Sequence, residues 1–209
     1  MSIDVGILHL GISISELEED YSFRNITWID LIDITKYTHK HCSIDDCKLH
    51  HTKTISDWMS HVIQENKDLF DNVDVILIER QPPGTFVAIE QFIFSSFREK
   101  TILISPRVVH THFKISSLDY DSRKAYSLSV AIPYLSEPLK NQLMRYERSH
   151  DIADSICIML YWQTKKYNEY KKNERKKEWE TRLTTDGVNI FQHLDSYRFV
   201  PQKSKIYVK

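Results

Sequence analysis

The chain has 209 residues, enough to bury the core of one domain but short for two full domains. Its 28 basic and 29 acidic side chains nearly cancel, which excludes a uniformly basic nucleic-acid-binding surface and leaves only local basic patches. The odd cysteine count, Cys42, Cys47 and Cys157, does not make a secreted disulfide framework and indicates a reducing compartment.

The sequence predicts neither a membrane-spanning segment nor a secretory leader. No run reaches the roughly 18 apolar residues that a spanning helix needs. The start, MSIDVGILHLGIS, lacks the basic region of a signal peptide. We therefore expect a soluble cytosolic protein.

The N-terminal third predicts an antiparallel meander of three strands. Residues 2–13, SIDVGILHLGIS, alternate β-branched and small residues around two glycines, the pattern of a strand, a tight turn and a second strand. Residues 26–35, ITWIDLIDIT, are rich in β-branched residues and predict the third strand. A polar loop over residues 36–51 precedes helical spacing over residues 54–70, behind a Thr or Ser cap.

Two helix-strand units then predict parallel additions to the meander. Residues 73–79, VDVILIE, form a continuous apolar strand that is stopped by RQPPG. An amphipathic helix over residues 85–98 leads to a strand over residues 101–106, TILISP. Its apolar stripe is read as core, with any surplus area available for a dimer contact. The predicted fold is α/β, with a mixed sheet flanked by helices.

The C-terminal half predicts helices. Residues 122–132 and 138–147 are helical in pattern, broken by Pro133 and Pro138. A further helix begins at residue 149 or 151, passes through residue 162 and has a sequence that permits continuation into KKYNEYKKNERKKEWE. Residues 181–209 carry no pattern that predicts a fold.

Four acids stand out by their order along the chain. Asp4 lies in the first strand, Glu79 ends a buried strand, and Asp151 and Asp154 share one face of a helix. Four gathered carboxylates would repel each other strongly unless cations join them. Two Mg²⁺ ions about 4 Å apart, held by such oxygens, stabilise the attacking and leaving oxygens of phosphodiester cleavage.

Each acid also has an ordinary interpretation. Asp4 would be a turn or edge residue, and Glu79 an exposed acid at a strand end. Asp151 would cap its helix, and Asp154 would favour the helix dipole. The order of the four, rather than any one of them, favours a metal site.

That order, on a meander followed by helix, strand, helix and strand, resembles the RNase H-like nucleases of the RuvC type. The resemblance is greatest to the Holliday junction resolvases of poxviruses and other large cytoplasmic DNA viruses. It covers most of residues 2–162 through the segments SIDVGILHLGIS, VILIERQPP, TILISPRVVH, DSRKAYSLSV and SHDIADSICIMLYW.

The resemblance implies a set of roles. Asp4, Glu79, Asp151 and Asp154 would be the catalytic acids that bind Mg²⁺, with Mn²⁺ able to substitute, and Lys124 would contact the scissile region or a backbone phosphate. It also implies a homodimer that makes two symmetric nicks in a four-way junction, leaving 5′-phosphate and 3′-hydroxyl ends.

A block rich in histidine and cysteine, HKHCSIDDCKLHH, predicts a structural zinc site. Cys42, Cys47 and His50, with His39 or His41 upstream, offer the two sulfurs and two nitrogens of a tetrahedral site. The alternative is a polar loop with two free thiols.

Basic residues between positions 98 and 124 provide the local positive charge that DNA backbone recognition requires in a chain without net charge. Within and near this segment we predict DNA contacts for Lys114, Arg123 and Lys124, and Arg80 is placed to reach phosphates beside Glu79. The mixed-charge run near residue 170 either binds a duplex arm of the DNA or forms a solvated helix face.

The sequence therefore predicts a nuclease domain over residues 1–165, with an insertion at 36–51, followed by a basic and polar extension over 166–209. The predicted activity is resolution of branched DNA in viral recombination or concatemer processing, in the host cytoplasm. Two alternatives stay open: another RNase H-like nuclease, and a non-catalytic nucleic-acid-binding factor that contains zinc.

Overall fold

The computed structural model describes residues 1–37, 49, 51–84 and 87–194, with side chains up to residue 182. The chain divides into two compact units, Met1–Lys166 and Tyr167–Lys209. None of the helices in the described part of the chain is both long and apolar enough to cross a membrane.

The first unit contains one sheet of five strands in the order β3-β2-β1-β4-β5. The first three strands form the predicted antiparallel meander, and β4 and β5 add to β1 in parallel, as the helix-strand alternation predicts. The strands are β1 (Ser2–Val5), β2 (His9–Leu17), β3 (Phe23–Asp33), β4 (Ile76–Glu79) and β5 (Thr101–Ile104).

Helices cover both faces of this sheet. They are α1 (Ile55–Glu65), α2 (Lys67–Asp71), α3 (Val87–Ser96), α4 (Pro106–His112), α5 (Tyr120–Ala131), α6 (Glu137–Leu143) and α7 (Ser149–Leu194). Helices α1, α2 and α3 pack on one face, against Ile3, Ile12 and Ile78 among others. Helices α4 to α7 contribute to a second core on the opposite face, which includes Leu77 and Ile156. The fold class predicted from the sequence is confirmed.

The alternation of side chains along β1 and β4 decides where the acids lie. Successive strand residues point to opposite faces. Ile3 and Ile78 belong to the core under α1 and α3, so their neighbours Asp4 and Glu79 point to the face that α7 covers. Small residues line that face: the buried Ser13 hydroxyl contacts the hydroxyl of Ser2 at 2.7 Å and that of Ser155 at 3.0 Å.

Several boundaries differ from the sequence prediction, and the clearest differences are at two prolines and at the end of the last helix. The strand predicted to reach Pro106 ends at Ile104, and Pro106 instead begins α4, where its missing N–H costs nothing. Pro138 likewise lies in the first turn of α6 rather than interrupting a helix. Helix α7 continues to Leu194, into the region for which no fold was predicted.

In the second unit, the described part of α7 carries alternating charges on its surface. Lys177 pairs with Glu174 at 3.2 Å, and Lys176 with Glu180 at 3.7 Å. Such exposed pairs each contribute only a few tenths of a kcal/mol, about 0.3–0.5 for helix neighbours. A solvated helix face of this kind is one of the two interpretations that the sequence allowed.

Candidate active site

Asp4 and Glu79 lie side by side on neighbouring parallel strands. The register that pairs Ile3 with Ile78 brings the next residues of β1 and β4 together at the ends of both strands. Both side chains are half-buried, and their carboxyl groups lie within hydrogen-bonding reach of each other. Two carboxyl groups that share a hydrogen bond must share a proton, unless a cation takes its place.

The first turns of α7 supply the other two acids. Asp151 is buried, with 5% of its surface exposed, and Asp154 is half-buried one helical turn further on. The structure thus brings together all four acids that the sequence singled out, because each of the other three acts electrostatically on Asp4.

Gly11 of β2 allows this close approach. It pairs with Asp4 across the meander, and a Cβ atom at Gly11 would lie only 2.1 Å from the backbone oxygen of Asp151. Any side chain at this position would therefore overlap the start of α7. The sequence analysis used this glycine as part of a strand-turn-strand pattern. Nothing in that pattern indicated that a helix would pack against it.

The electrostatics of the cluster are those of carboxylates crowded together and removed from water. Burial, with the charges of Glu79, Asp154 and Asp151, raises the pKa of Asp4 well above its ordinary value. Burial also raises the pKa of Asp154 to about 6, although a hydrogen bond from Ser127 lowers it. Burial raises the pKa of Glu79 in the same way, against the hydrogen bonds from Gln81 and Asp4.

Arg148 holds Asp151 with two hydrogen bonds. Its Nε donates to Oδ2 at 2.6 Å and its Nη2 donates to Oδ1 at 3.2 Å, the forked geometry in which arginine binds carboxylates best. His150 Nε2 is 2.9 Å from the same Oδ1, but the contact lacks the alignment of a hydrogen bond. Asp151 is therefore partly neutralised by a neighbour that precedes it by three residues.

Glu90, a buried acid of α3, is linked to Glu79 through hydrogen bonds with Gln81. Glu90, only 3% exposed, accepts a hydrogen bond from the backbone N–H of Gln81 at 2.5 Å. The side-chain amide of Gln81 donates in turn to Glu79 Oε2 at 2.9 Å. Gln81 is thus fixed at both ends, and the chain of contacts orients the Glu79 carboxylate.

Sequence reasoning missed Glu90, Arg148 and Ser127 as supporting residues. Ser127 contacts Asp154, and Glu90 contacts the backbone of Gln81; both partners are distant in sequence, so no local pattern could reveal these contacts. The spacing of Arg148 and Asp151, three residues apart at the start of a helix, did carry a signal, because neighbours at this spacing lie on one face.

The four predicted DNA-binding residues lie in different settings. Lys124 of α5 is half-buried and acts electrostatically on Asp154, so it borders the acids. Arg80 is exposed directly after Glu79. Arg123 donates to the backbone oxygen of Leu118 at 3.0 Å, and Lys114 is exposed in the turn after α4 with a positive φ of 58°.

The donors of this cluster suit a hard divalent cation such as Mg²⁺, which prefers carboxylate oxygens. The pKa values of Asp4 and Asp154 are raised by burial and by the neighbouring carboxylates, and a bound cation would offset both effects. Among the described residues, no three His, Cys, Asp or Glu side chains converge tightly enough to enclose an ion. Mg²⁺ does not require such a cage, because it keeps water molecules and takes further ligands from a substrate phosphate.

The predicted zinc ligands Cys42, Cys47, His39 and His50 lie outside the described residues. The zinc site therefore stays a prediction. The third cysteine, Cys157, is buried in α7, and burial raises the pKa of its thiol to about 12, as expected for an unreactive core residue.

Comparison with solved structures finds the same fold in junction-resolving enzymes. The fowlpox virus resolvase, solved with substrate Holliday junction DNA, is 21% identical with a TM-score of 0.57, and the match covers 78% of this chain and 95% of that one. The yeast mitochondrial Holliday junction resolvase Ydc2 is 18% identical with a TM-score of 0.58, covering 83% of this chain and 82% of that one. At these identities the likeness concerns the fold.

Comparison with curated protein sequences finds no match. The family model described as "Poxvirus A22 protein" matches residues 1–166, which include all four acids and every strand of the sheet. On that match, the chain belongs to the poxvirus A22 protein family.

Proposed function

We propose that the chain is an Mg²⁺-dependent endonuclease that resolves four-way DNA junctions by paired symmetric nicks. The observation that carries the proposal is the gathering of Asp4, Glu79, Asp151 and Asp154 on one face of the sheet, with the pKa of Asp4 raised by burial and by its three neighbours. A protein that only binds DNA gains nothing from such a cluster, because carboxylates repel phosphates. Membership of the A22 family and the fold shared with the fowlpox virus and yeast resolvases support the same activity.

Asp4, Glu79 and Asp154 are the residues that would hold the cations, two per site. Asp151 would join them by exchanging its contact with Arg148. When bound, Mg²⁺ would activate a water molecule and neutralise the charge that develops on the phosphate. Arg148 would then be left beside the site with its positive charge available for a phosphate oxygen.

The basic residues at the border of the site would fix the DNA backbone. Lys124 reaches the neighbourhood of Asp154 from α5, and exposed Arg80 leaves β4 directly after Glu79. We assign both to phosphates near the scissile bond, and Arg123 and Lys114 to phosphates further along the strand. Such contacts give affinity and position rather than sequence selectivity.

Resolution requires two cuts related by symmetry, so we propose a C2 homodimer with one site in each chain. The nuclease would occupy residues 1–165, with residues 166–209 as a basic extension. In its family context the enzyme would process branched or concatemeric viral genomes in the host cytoplasm.

The experiment that tests the proposal offers the protein several labelled substrates together. A four-way junction, a flap, an RNA-DNA hybrid and a linear duplex compete in the presence of Mg²⁺ or Mn²⁺, and the cut positions are mapped at nucleotide resolution. The proposal expects metal-dependent nicks at symmetric positions of the junction, with the duplex left intact. Preferred cleavage of the hybrid or flap would assign another nuclease, and tight binding of the junction without any cut would assign a binding protein.

A further inference from the structure

One face of α5 leads from the acids to the protein surface. Ser127, Lys124 and Tyr120 are spaced by three and four residues, so they lie on the same side of the helix. Buried Ser127 donates to Asp154, and Lys124 is half-buried. Tyr120, the first residue of the helix, is 59% exposed. The three side chains thus form a path from the acid cluster outward.

Tyr120 is tied to this path by its ring. The Lys124 ammonium lies over the ring, 4.1 Å from its centroid, in a cation-π contact. Arg148, which holds Asp151, lies within electrostatic reach of the Tyr120 hydroxyl. The aromatic ring therefore lies beside the positively charged side chains of Lys124 and Arg148, which border the acids.

The exposure of this ring has no counterpart in the rest of the described first unit. The other exposed tyrosines there, Tyr126 and Tyr134, are 38% and 40% exposed. A ring that is mostly in water contributes little to stability through burial. In a site that accepts nucleic acid, however, such a ring offers a face on which a base can stack.

We propose that Tyr120 is a stacking site for one unpaired nucleobase of the junction strand that is cut. This inference rests on the function proposed above. Seven residues of α5 separate Tyr120 from Ser127, about 10 Å at 1.5 Å per residue, which corresponds to about three nucleotide steps along a stacked strand. The stacked base would therefore lie within about three nucleotides of the scissile phosphate. With the Lys124 ammonium on one face of the ring, the base would take the other.

Stacking would select branched DNA over duplex. In a continuous duplex, every base is already stacked on its neighbours and none is free to reach the ring. At a junction, the bases near the crossover can leave the stack at a lower cost. Tyr120 would thus be a specificity-determining residue that recognises distortion rather than sequence.

The test is a double-mutant cycle in which one change removes the tyrosine ring and the other removes a base of the DNA. Cleavage in a single turnover is measured for the wild-type protein and for Tyr120→Leu, on a junction with all its bases. The same pair is then measured on junctions that carry one abasic nucleotide at each position within three of the cut. Equilibrium binding is measured on the same pairs. Tyr120→Phe, which keeps the ring, and Tyr126→Leu, six residues along the same helix, are the matched controls.

We expect Tyr120→Leu to lower the rate or affinity about 10-fold on the intact junction, from stacking energies of about 1–3 kcal/mol per base. At one position, an abasic nucleotide should lower the rate or affinity of the wild-type protein by the same factor. On that junction, Tyr120→Leu should cause no further loss. Both control variants should behave as the wild type on every junction. The inference would be overturned if the effects of Tyr120→Leu and of the abasic nucleotide were independent, and so multiplied, at every position. A loss in Tyr120→Phe equal to that in Tyr120→Leu would also overturn it. A wild-type protein that cuts no junction would refute the proposed function, and the binding cycle would still decide the role of Tyr120.

Discussion

Gly11 and Asp151 meet backbone to backbone, since a Cβ atom on the glycine would lie 2.1 Å from the carbonyl oxygen of the aspartate. Gly11 also pairs with Asp4 across β1 and β2. One contact therefore sets how closely two acids on different elements can approach. The geometry of the cluster thus depends on a residue that has no functional group of its own.

Replacement of this glycine is the first prediction. Gly11→Ala should push the start of α7 away from the sheet, at a cost of about 1–3 kcal/mol in the free energy of unfolding, as for other overpacked sites. Junction cleavage by the folded variant should fall by more than 10-fold, because Asp151 moves relative to Asp4. Denaturant unfolding and single-turnover cleavage measure the two effects.

Ser13→Ala is the matched control for that variant. Ser13 lies on the same face of β2, and its hydroxyl contacts those of Ser2 and Ser155. Its loss should lower stability by about 1 kcal/mol without moving the helix, and cleavage should persist. Equal cleavage by Gly11→Ala and wild type would contradict the role given to the glycine.

The second prediction concerns stability and pH in the absence of metal. Burial raises the pKa of Asp154 to about 6, from an ordinary value of 3.8, so ionisation costs more in the folded chain than in the unfolded one. This cost is absent below pH 3.8, grows as the pH rises to about 6, and is complete above it. The free energy of unfolding of the wild type should therefore decline over this range.

Asp154→Asn should flatten that decline. In EDTA at pH 7, the variant should be more stable than the wild type by about 1–2 kcal/mol, because an amide does not ionise and keeps a partner for Ser127. Urea unfolding between pH 4 and 8 provides the measurement, with exposed Asp68→Asn as the control on the opposite face of the sheet. A variant that is less stable than the wild type at pH 7 would show that ionisation of Asp154 carries no cost in the folded chain.

The prediction of four acids at one site rested on their order along the chain, on the helix spacing of Asp151 and Asp154, and on the family resemblance. The sequence placed Asp4 within the first strand and Glu79 at the end of a buried strand, and the fold then decides the face to which each side chain points. Asp151 and Asp154 are three residues apart, and this spacing predicts that both lie on one face of a helix. The fold class and the family resemblance are confirmed, while the roles of these residues stay predictions.

The supporting residues could not be predicted, because tertiary packing decides them. Glu90 reads as an ordinary acid in an amphipathic helix, yet the folded chain buries it against the backbone of Gln81. Pro106 reads as the end of a strand but begins a short helix. In both cases the local sequence is compatible with two structures, and contacts distant in sequence select one.

The third prediction concerns metal binding. Mg²⁺ should stabilise the folded wild type, by about 1.4 kcal/mol at a concentration 10 times its Kd, and Asp4→Asn should lose most of this gain. The gain should increase between pH 5 and 7, because the protons must leave the carboxyl groups before a cation binds. Thermal unfolding with and without Mg²⁺ gives the readout. An equal shift in the wild type and in Asp4→Asn would place the cation elsewhere.

The fourth prediction concerns the support behind Glu79. Glu90→Ala removes the acceptor of the Gln81 N–H and should cost about 1–3 kcal/mol of stability, the usual penalty for an unsatisfied buried donor. Cleavage should slow about 10-fold through misorientation of Glu79, while junction binding stays unchanged. Glu90→Gln, which keeps one acceptor oxygen, should restore part of the rate.

Exposed Glu99→Ala serves as the control for the Glu90 variants. Glu99 lies between α3 and β5 and should affect neither binding nor cleavage. A Glu90→Ala protein that binds less but cuts each bound junction at the wild-type rate would argue for a role in DNA contact instead of carboxylate orientation.

The role proposed for Asp4 and its neighbours, binding of metal for cleavage, is tested most directly by one comparison. A labelled four-way junction is incubated with wild-type protein and with Asp4→Asn in Mg²⁺, and both binding and cleavage are measured on the same samples. We expect paired nicks by the wild type, and equal binding with a cleavage rate lower by at least 1,000-fold in the variant, about 4 kcal/mol of transition-state stabilisation. Cleavage by Asp4→Asn at the wild-type rate would show that Asp4 does not bind a catalytic metal ion.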